Sequence, residues 1–355
     1  MENLDKSNMW ERLLAFPQQI KEAVEIGKKA QSPKPKAQSA YRNIIFSGMG
    51  GSAIAGELLK GYLNNEIKIP IFVNRDYSLP NFVSSETLIF INSYSGNTEE
   101  TLAAYEEARK KKADLVVISS GGELIKKAQR DKVSFMTIPS GMPPRTALAY
   151  SFFIPLILLF QYGLISEKKE DISETILTLE KVKREIMEEK ENEAKKVSLS
   201  FLNKFPIIYT SNSFAAVAIR LKQQLAENSK TLSSVNFLPE MNHNEIVGWE
   251  FPYLLRDFRV LFLRDKKENI PIKKRFCVSQ EIIKEKAGIL EIWSRGESLL
   301  ARTFSLVYIG DFISYYLALL NKVDPTPVEK IDYLKEQLSK GTDTYQRNSD
   351  KGEKC

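Results

Sequence analysis

A chain of 355 residues that is 43% hydrophobic and 27% charged has room for two ordinary globular domains and is not a low-complexity sequence. Its net charge of +6 comes from lysines and glutamates interleaved as on solvated helix faces, without a basic stripe threaded by aromatics; that excludes a nucleic-acid platform and suits a small anionic substrate. The two cysteines, Cys277 and Cys355, exclude a disulfide framework, and no CxxC or Cys/His spacing exists for zinc, so the expectation is a reducing, cytoplasmic setting with no metal and no cofactor.

The opening MENLDKSNMWERLLAF carries acids early and no long apolar run, unlike a secretory signal. Trp10, Leu13, Leu14, Phe16, Ile20, Ala23 and Ile26 recur at helical spacing, so residues 1–30 predict one helix. A polar linker with Pro33 and Pro35 completes a first segment, 1–40. Over 41–160, apolar runs at 43–47, 71–74, 88–92, 115–119 and 135–138 predict strands, with helices over 54–63 and 99–112. Continuous apolar strands alternating with helices predict a parallel sheet covered on both faces. The most apolar stretch, 147–164, contains Pro155, Gln161 and Gly163; as the single such segment it predicts a buried core helix, and no membrane association is expected. A connector, 161–198, is charged and proline-free from residue 165 onward and predicts a peripheral solvated helix or helix pair. A second domain, 199–325, repeats the style, with strands at 206–210, 231–236, 260–263 and 289–292, a helix over 215–228 and a long amphipathic helix over 299–320. A final helix lies within 326–340, and a polar tail fills 341–355. The predicted fold class is α/β: two domains of related layout, each a mainly parallel sheet flanked by helices, joined by a helical connector.

Two loops at strand ends carry the first chemical signal. Ser47-Gly48-Met49-Gly50-Gly51-Ser52 follows NIIF and precedes a helix, whose free amides and dipole would face a ligand in the loop. Ser93, Ser95 and Thr98 place three hydroxyls within six residues after LIFIN, with Gly96 allowing the turn. Hydroxyls and amides without lysine make a neutral cradle for a phosphate monoester; the bland alternative is a helix N-cap by Asn97 or Thr98. The motif SxSGNTxET, preceded by GMGGS, resembles the sugar isomerase (SIS) domain. That resemblance implies a sugar-phosphate substrate and makes Gly50, Gly51, Ser52, Ser93, Ser95 and Thr98 the phosphate contacts.

Three further features stand apart from these loops. Arg145 lies in PPRTALAY, Glu227 ends the helix AAVAIRLKQQLAENSK, and His243, the sole histidine, lies in PEMNHNEIVGWE. With the loops and the closing VEKIDYLKEQL, the pattern from about residue 44 to 338 resembles the dual-specificity phosphoglucose/phosphomannose isomerases of the SIS superfamily. The resemblance implies a metal-independent exchange of glucose 6-phosphate, and of mannose 6-phosphate, with fructose 6-phosphate through an enediol. The residue types fit that chemistry. A glutamate in a mostly apolar pocket shuttles one proton (Glu227), an imidazole trades a proton with the ring oxygen (His243), and a guanidinium holds the enediolate (Arg145). The resemblance also implies a lysine near the C-terminus, Lys335 or alternatively Lys330, and a homodimer in which His243 enters the neighbouring subunit's site. The rival reading is a non-catalytic sugar-phosphate-binding SIS protein; the N-terminal segment is too short and too poor in basic residues for the DNA-binding module that such regulators carry.

Overall fold

The computed structural model describes residues 4–30, 41–250 and 255–340. The linker and the polar tail expected from the sequence, at 31–40 and 341–355, lie outside the described residues.

The first sheet contains β1 (Asn43–Ser47), β2 (Ile71–Asn74), β3 (Thr87–Asn92), β4 (Asp114–Ser119) and β5 (Ser134–Thr137), all parallel, in the order β2-β1-β3-β4-β5. β1 and β3 are buried at every position, which is why NIIFS and TLIFIN run apolar without alternation. Ile45, Ile89 and Val117 pack beneath α4 (Glu99–Lys110) and α5 (Gly122–Arg130). Ile44, Phe46, Phe90 and Ile118 face the other way, onto α3 (Gly50–Leu63) and α6 (Leu148–Gln161). The 14 residues of α6 make a rod of about 21 Å, buried continuously from Leu148 to Leu159.

The second sheet, again wholly parallel, has the order β7-β6-β8-β9, from β6 (Phe205–Ser211), β7 (Ser234–Leu238), β8 (Phe258–Arg264) and β9 (Gly288–Trp293). α9 (Ala215–Glu227) covers its inner face, while α10 (Ile270–Ile283) lies on the outer face through Phe276 and Ile283. α11 (Leu299–Leu320) packs against α9 and against the connector. The sequence predicts an amphipathic helix here, but α11 is buried without a break from Leu300 to Ala318. It is long and apolar enough to cross a membrane; here it is the core helix, with Phe304 edge-on to Phe152 of α6.

The connector is a helix pair, α7 (Lys169–Glu188) and α8 (Glu193–Phe201), and it is not peripheral. Ile172, Thr175, Leu179, Val182 and Ile186 repeat at three- and four-residue intervals and are buried against α11. The N-terminal helix also differs from expectation. It divides at Ala15 into α1 (Met9–Leu14) and α2 (Phe16–Lys28), because Pro17 sits in a first turn, where its missing N–H costs nothing. Asp5 accepts the Met9 and Trp10 amides at 2.7 and 2.9 Å and starts α1.

Candidate active site

β1 and β3 are neighbours at the middle of the first sheet, with β2 on one side and β4 on the other, so the loops leaving their carboxyl ends diverge around a crevice. This is the switch point at which open α/β sheets bind ligands. The two glycine- and serine-containing loops are those two loops.

In the first loop Met49 precedes helix α3, and Gly50 takes φ +48°, where a side chain would be strained. The amide of Ser52 already bonds to the Met49 carbonyl at 3.0 Å, so the donors this turn offers a ligand are the Gly50 and Gly51 amides and the Ser52 hydroxyl. In the second loop the Ser93 and Thr98 hydroxyls lie 3.0 Å apart, the Gly96 amide donates to Ser93 Oγ at 3.2 Å, and the Asn97 amide donates to Ser95 Oγ at 3.2 Å. Thr98 stands at the N-cap position of α4, yet its hydroxyl turns to Ser93 instead of capping; Asn97 Oδ1 accepts the Glu123 amide at 2.9 Å. In place of an N-cap, this turn holds a bonded pair of hydroxyls, Ser93 with Thr98, beside the Ser95 hydroxyl that accepts the Asn97 amide.

The serine turn is braced by the loop after β4. The Leu124 amide reaches the Gly96 carbonyl at 2.9 Å and the Ser120 hydroxyl reaches the Tyr94 carbonyl at 2.7 Å. Gly96 has φ +70°, and a Cβ there would meet the Gly121 carbonyl oxygen at 1.9 Å. Gly96→Ala is expected to weaken sugar-phosphate binding about tenfold or more, read by calorimetric titration, while the circular dichroism of the rest of the fold persists.

Arg145 lies in the short turn Pro144–Thr146, which packs on the first loop: a Cβ on Gly51 would sit 3.3 Å from Arg145 Cα and 3.3 Å from the Pro144 carbonyl oxygen. Its side chain is only 3% exposed. Nε donates to Asn228 Oδ1 at 2.6 Å, Nη2 donates to the Pro325 and Thr326 carbonyls at 2.8 Å each, and Nη1 faces Glu227 Oε2 at 3.3 Å. Burial pulls the guanidinium below its ordinary value; Glu227 opposes that, and neighbouring Arg220 adds to it.

Glu227 closes α9 with its side chain 26% exposed. Its carboxylate is ion-paired with Arg145 and does not sit in the mostly apolar surround expected from the sequence. Two residues absent from the sequence-level candidates complete the support. Arg220, about two turns earlier on α9, is buried in a bidentate pair with Asp311 of α11 at 2.6 and 3.0 Å and donates to the Arg145 carbonyl at 3.1 Å. Lys230 places its ammonium on the Glu227 and Pro327 carbonyls at 2.6 and 2.7 Å, tying the 325–327 turn to the end of α9; burial and Arg145 lower its pKa.

His243 ends the short turn Glu240–His243 after β7 and is exposed, with no hydrogen bond or ion pair to Arg145, Glu227 or the serine turn among the described residues. Lys335 and Lys330 are exposed on α12 (Glu329–Lys340). The single chain thus brings together the two loops, Arg145 and Glu227, and leaves His243 and Lys335 facing outward. No group of three His, Cys, Asp or Glu side chains among the described residues is placed to hold a metal.

A family model described as the SIS domain matches residues 39–158, and one described as the bacterial phospho-glucose isomerase C-terminal SIS domain matches residues 190–338. Proteins named bifunctional phosphoglucose/phosphomannose isomerase are 45% identical in Caldicellulosiruptor bescii, over 93% of this chain and 99% of that one, and 36% identical in Aquifex aeolicus, over 86% and 93%. Among solved structures, a hypothetical protein from Thermus thermophilus superposes with a TM-score of 0.74 at 15% identity, covering 92% of this chain and 89% of that one. At such identity the likeness speaks for the fold alone.

Proposed function

The chain belongs to the bifunctional phosphoglucose/phosphomannose isomerases and is a sugar-phosphate isomerase built from two SIS domains, and on that premise we propose that it exchanges glucose 6-phosphate and mannose 6-phosphate with fructose 6-phosphate through an enediolate, without a metal ion. The observation that carries this is the Arg145–Glu227 pair, set against the glycine loop at Gly51.

In this reading the hydroxyls of Ser52, Ser93, Ser95 and Thr98, with the Gly50 and Gly51 amides, grip the phosphate. The amino-terminal ends of α3 and α4 add their favourable dipoles. Glu227 removes the proton from C2 of the open-chain aldose and returns it to C1, while a hydroxyl proton passes between O1 and O2. Arg145 faces the oxygen on which charge develops, and as a guanidinium it stays protonated throughout. Run in deuterium oxide, the reaction should place solvent deuterium in the product at the carbon that receives the proton, and turnover should persist in EDTA. Absence of label under turnover would exclude a proton shared with solvent-exchanging Glu227.

His243 is proposed to open the ring in the site of a second subunit, and Lys335 to assist it. Their outward placement supports a homodimer with shared sites, as do the exposed Tyr333 and Leu334 on the helix that carries Lys335. His243→Ala and Glu227→Gln, each feeble alone, should recover activity when mixed under conditions of subunit exchange. A mixture that exchanges subunits and stays inactive would place the imidazole in its own chain's site.

A further inference from the structure

An arginine that meets a developing negative charge must be held firmly without being neutralised beforehand. Arg145 meets both demands through the partners it has. Three of its five N–H donors go to uncharged acceptors, at the Asn228 side chain and at the Pro325 and Thr326 carbonyls. Only Nη1 remains for a carboxylate, across the longer 3.3 Å contact with Glu227.

The shortest of these bonds belongs to Asn228, which is completely buried. Its orientation is dictated. Arg145 Nε can only donate, so the amide oxygen must face it. The amide nitrogen then donates to Ser314 Oγ at 2.9 Å, and that hydroxyl donates to the Asp311 carbonyl at 2.7 Å. A one-way chain of donors therefore runs from the edge of the guanidinium through Asn228 and Ser314 to the Asp311 carbonyl of α11. Aspartate would have the same shape and reach. It would also lay a full negative charge on the guanidinium in a dry setting and blunt the charge left for an enediolate.

We propose that Asn228 is a positioning residue that fixes the Nε edge of Arg145 without setting a second negative charge beside that of Glu227, and that the neutrality of the amide is the functional property. This rests on the enediolate-stabilising role of Arg145 given above. The test uses the full-length enzyme and Asn228→Asp, with Ser314→Ala as the milder change, which frees the amide without adding charge. Melting temperature, kcat and KM for fructose 6-phosphate are measured with two affinities: for glucitol 6-phosphate, which lacks a carbonyl, and for a phosphorylated aldonohydroxamate, which mimics the enediolate.

Asn228→Asp is expected to melt like the parent and bind glucitol 6-phosphate equally well. Its kcat should fall about 30-fold with KM within about twofold, and hydroxamate affinity should fall by a similar factor. Ser314→Ala should move the same two quantities less. Unchanged kcat and hydroxamate affinity in Asn228→Asp would overturn the proposal, as would a loss shared equally by glucitol 6-phosphate. In an Arg145→Lys background, where no Nε–H exists, Asn228→Asp should add little; a fully additive loss would overturn the coupling. If Arg145→Lys alone keeps parental hydroxamate affinity, the assigned role of the arginine fails, a result distinct from failure of the coupling.

Discussion

Glu227→Gln is expected to lower kcat by about 10³- to 10⁴-fold, since it removes the group proposed above to carry the proton between the two carbons. Glutamine keeps the shape and still accepts a hydrogen bond from Arg145 Nη1, so the melting temperature and the affinity for glucitol 6-phosphate should stay near parental values. Incorporation of solvent deuterium should fall in step with turnover. Near-normal turnover in this variant would mean that another base performs the transfer.

The largest loss of stability is expected at Arg220. Its pair with Asp311 is almost wholly buried, with side chains 3% and 4% exposed, so Arg220→Met strands a carboxylate in the core and frees the Arg145 carbonyl. Breaking such a pair costs about 3–5 kcal/mol, to be measured by urea unfolding. Replacing both partners, Arg220→Met with Asp311→Leu, should recover most of that. The pH dependence has a definite sign. Burial raises the Asp311 pKa and Arg220 opposes the rise, so removing Arg220 raises it further. A folded-state pKa above the unfolded one contributes stability at low pH that is lost as pH rises through the folded value. The deficit of Arg220→Met should thus be greatest at neutral pH and shrink on acidification; a deficit that grows with acid would contradict a stranded carboxylate.

Much of the fold was legible because parallel strands buried on both faces leave a local mark. β1 and β2 lie at 43–47 and 71–74 as expected, and the other central strands shift by a residue or two. Elements whose pattern depends on distant partners were less legible. β7 begins three residues later than predicted; it is an edge strand, half-buried over most of its length, so its ends are weakly marked. α10 went unmarked because it buries only Phe276, Ser279 and Ile283. The long helix at 299–320 read as amphipathic because Arg302 and Asp311 interrupt it, yet both charges are buried against partners elsewhere in the chain.

The same division runs through the site. Glu227 and Arg145 stand out by residue type beside recognisable loops. Asn228, Arg220 and Asp311 acquire meaning only through pairings 75 to 91 residues apart. A lone acid within an apolar helix was the signal available for Asp311, since such a charge must have a buried counterpart.

One guanidinium touches three separate stretches of chain, the turn that bears it, the end of α9 and the 325–326 carbonyls, and α11 packs against α7, α8 and α9 along its buried length. The two sheets therefore cannot open and shut like a pair of jaws without unhooking Arg145 from its partners. Entry and exit of a ligand would instead fall to peripheral loops, so the pace of turnover would be set at the rim and not by a hinge through the middle.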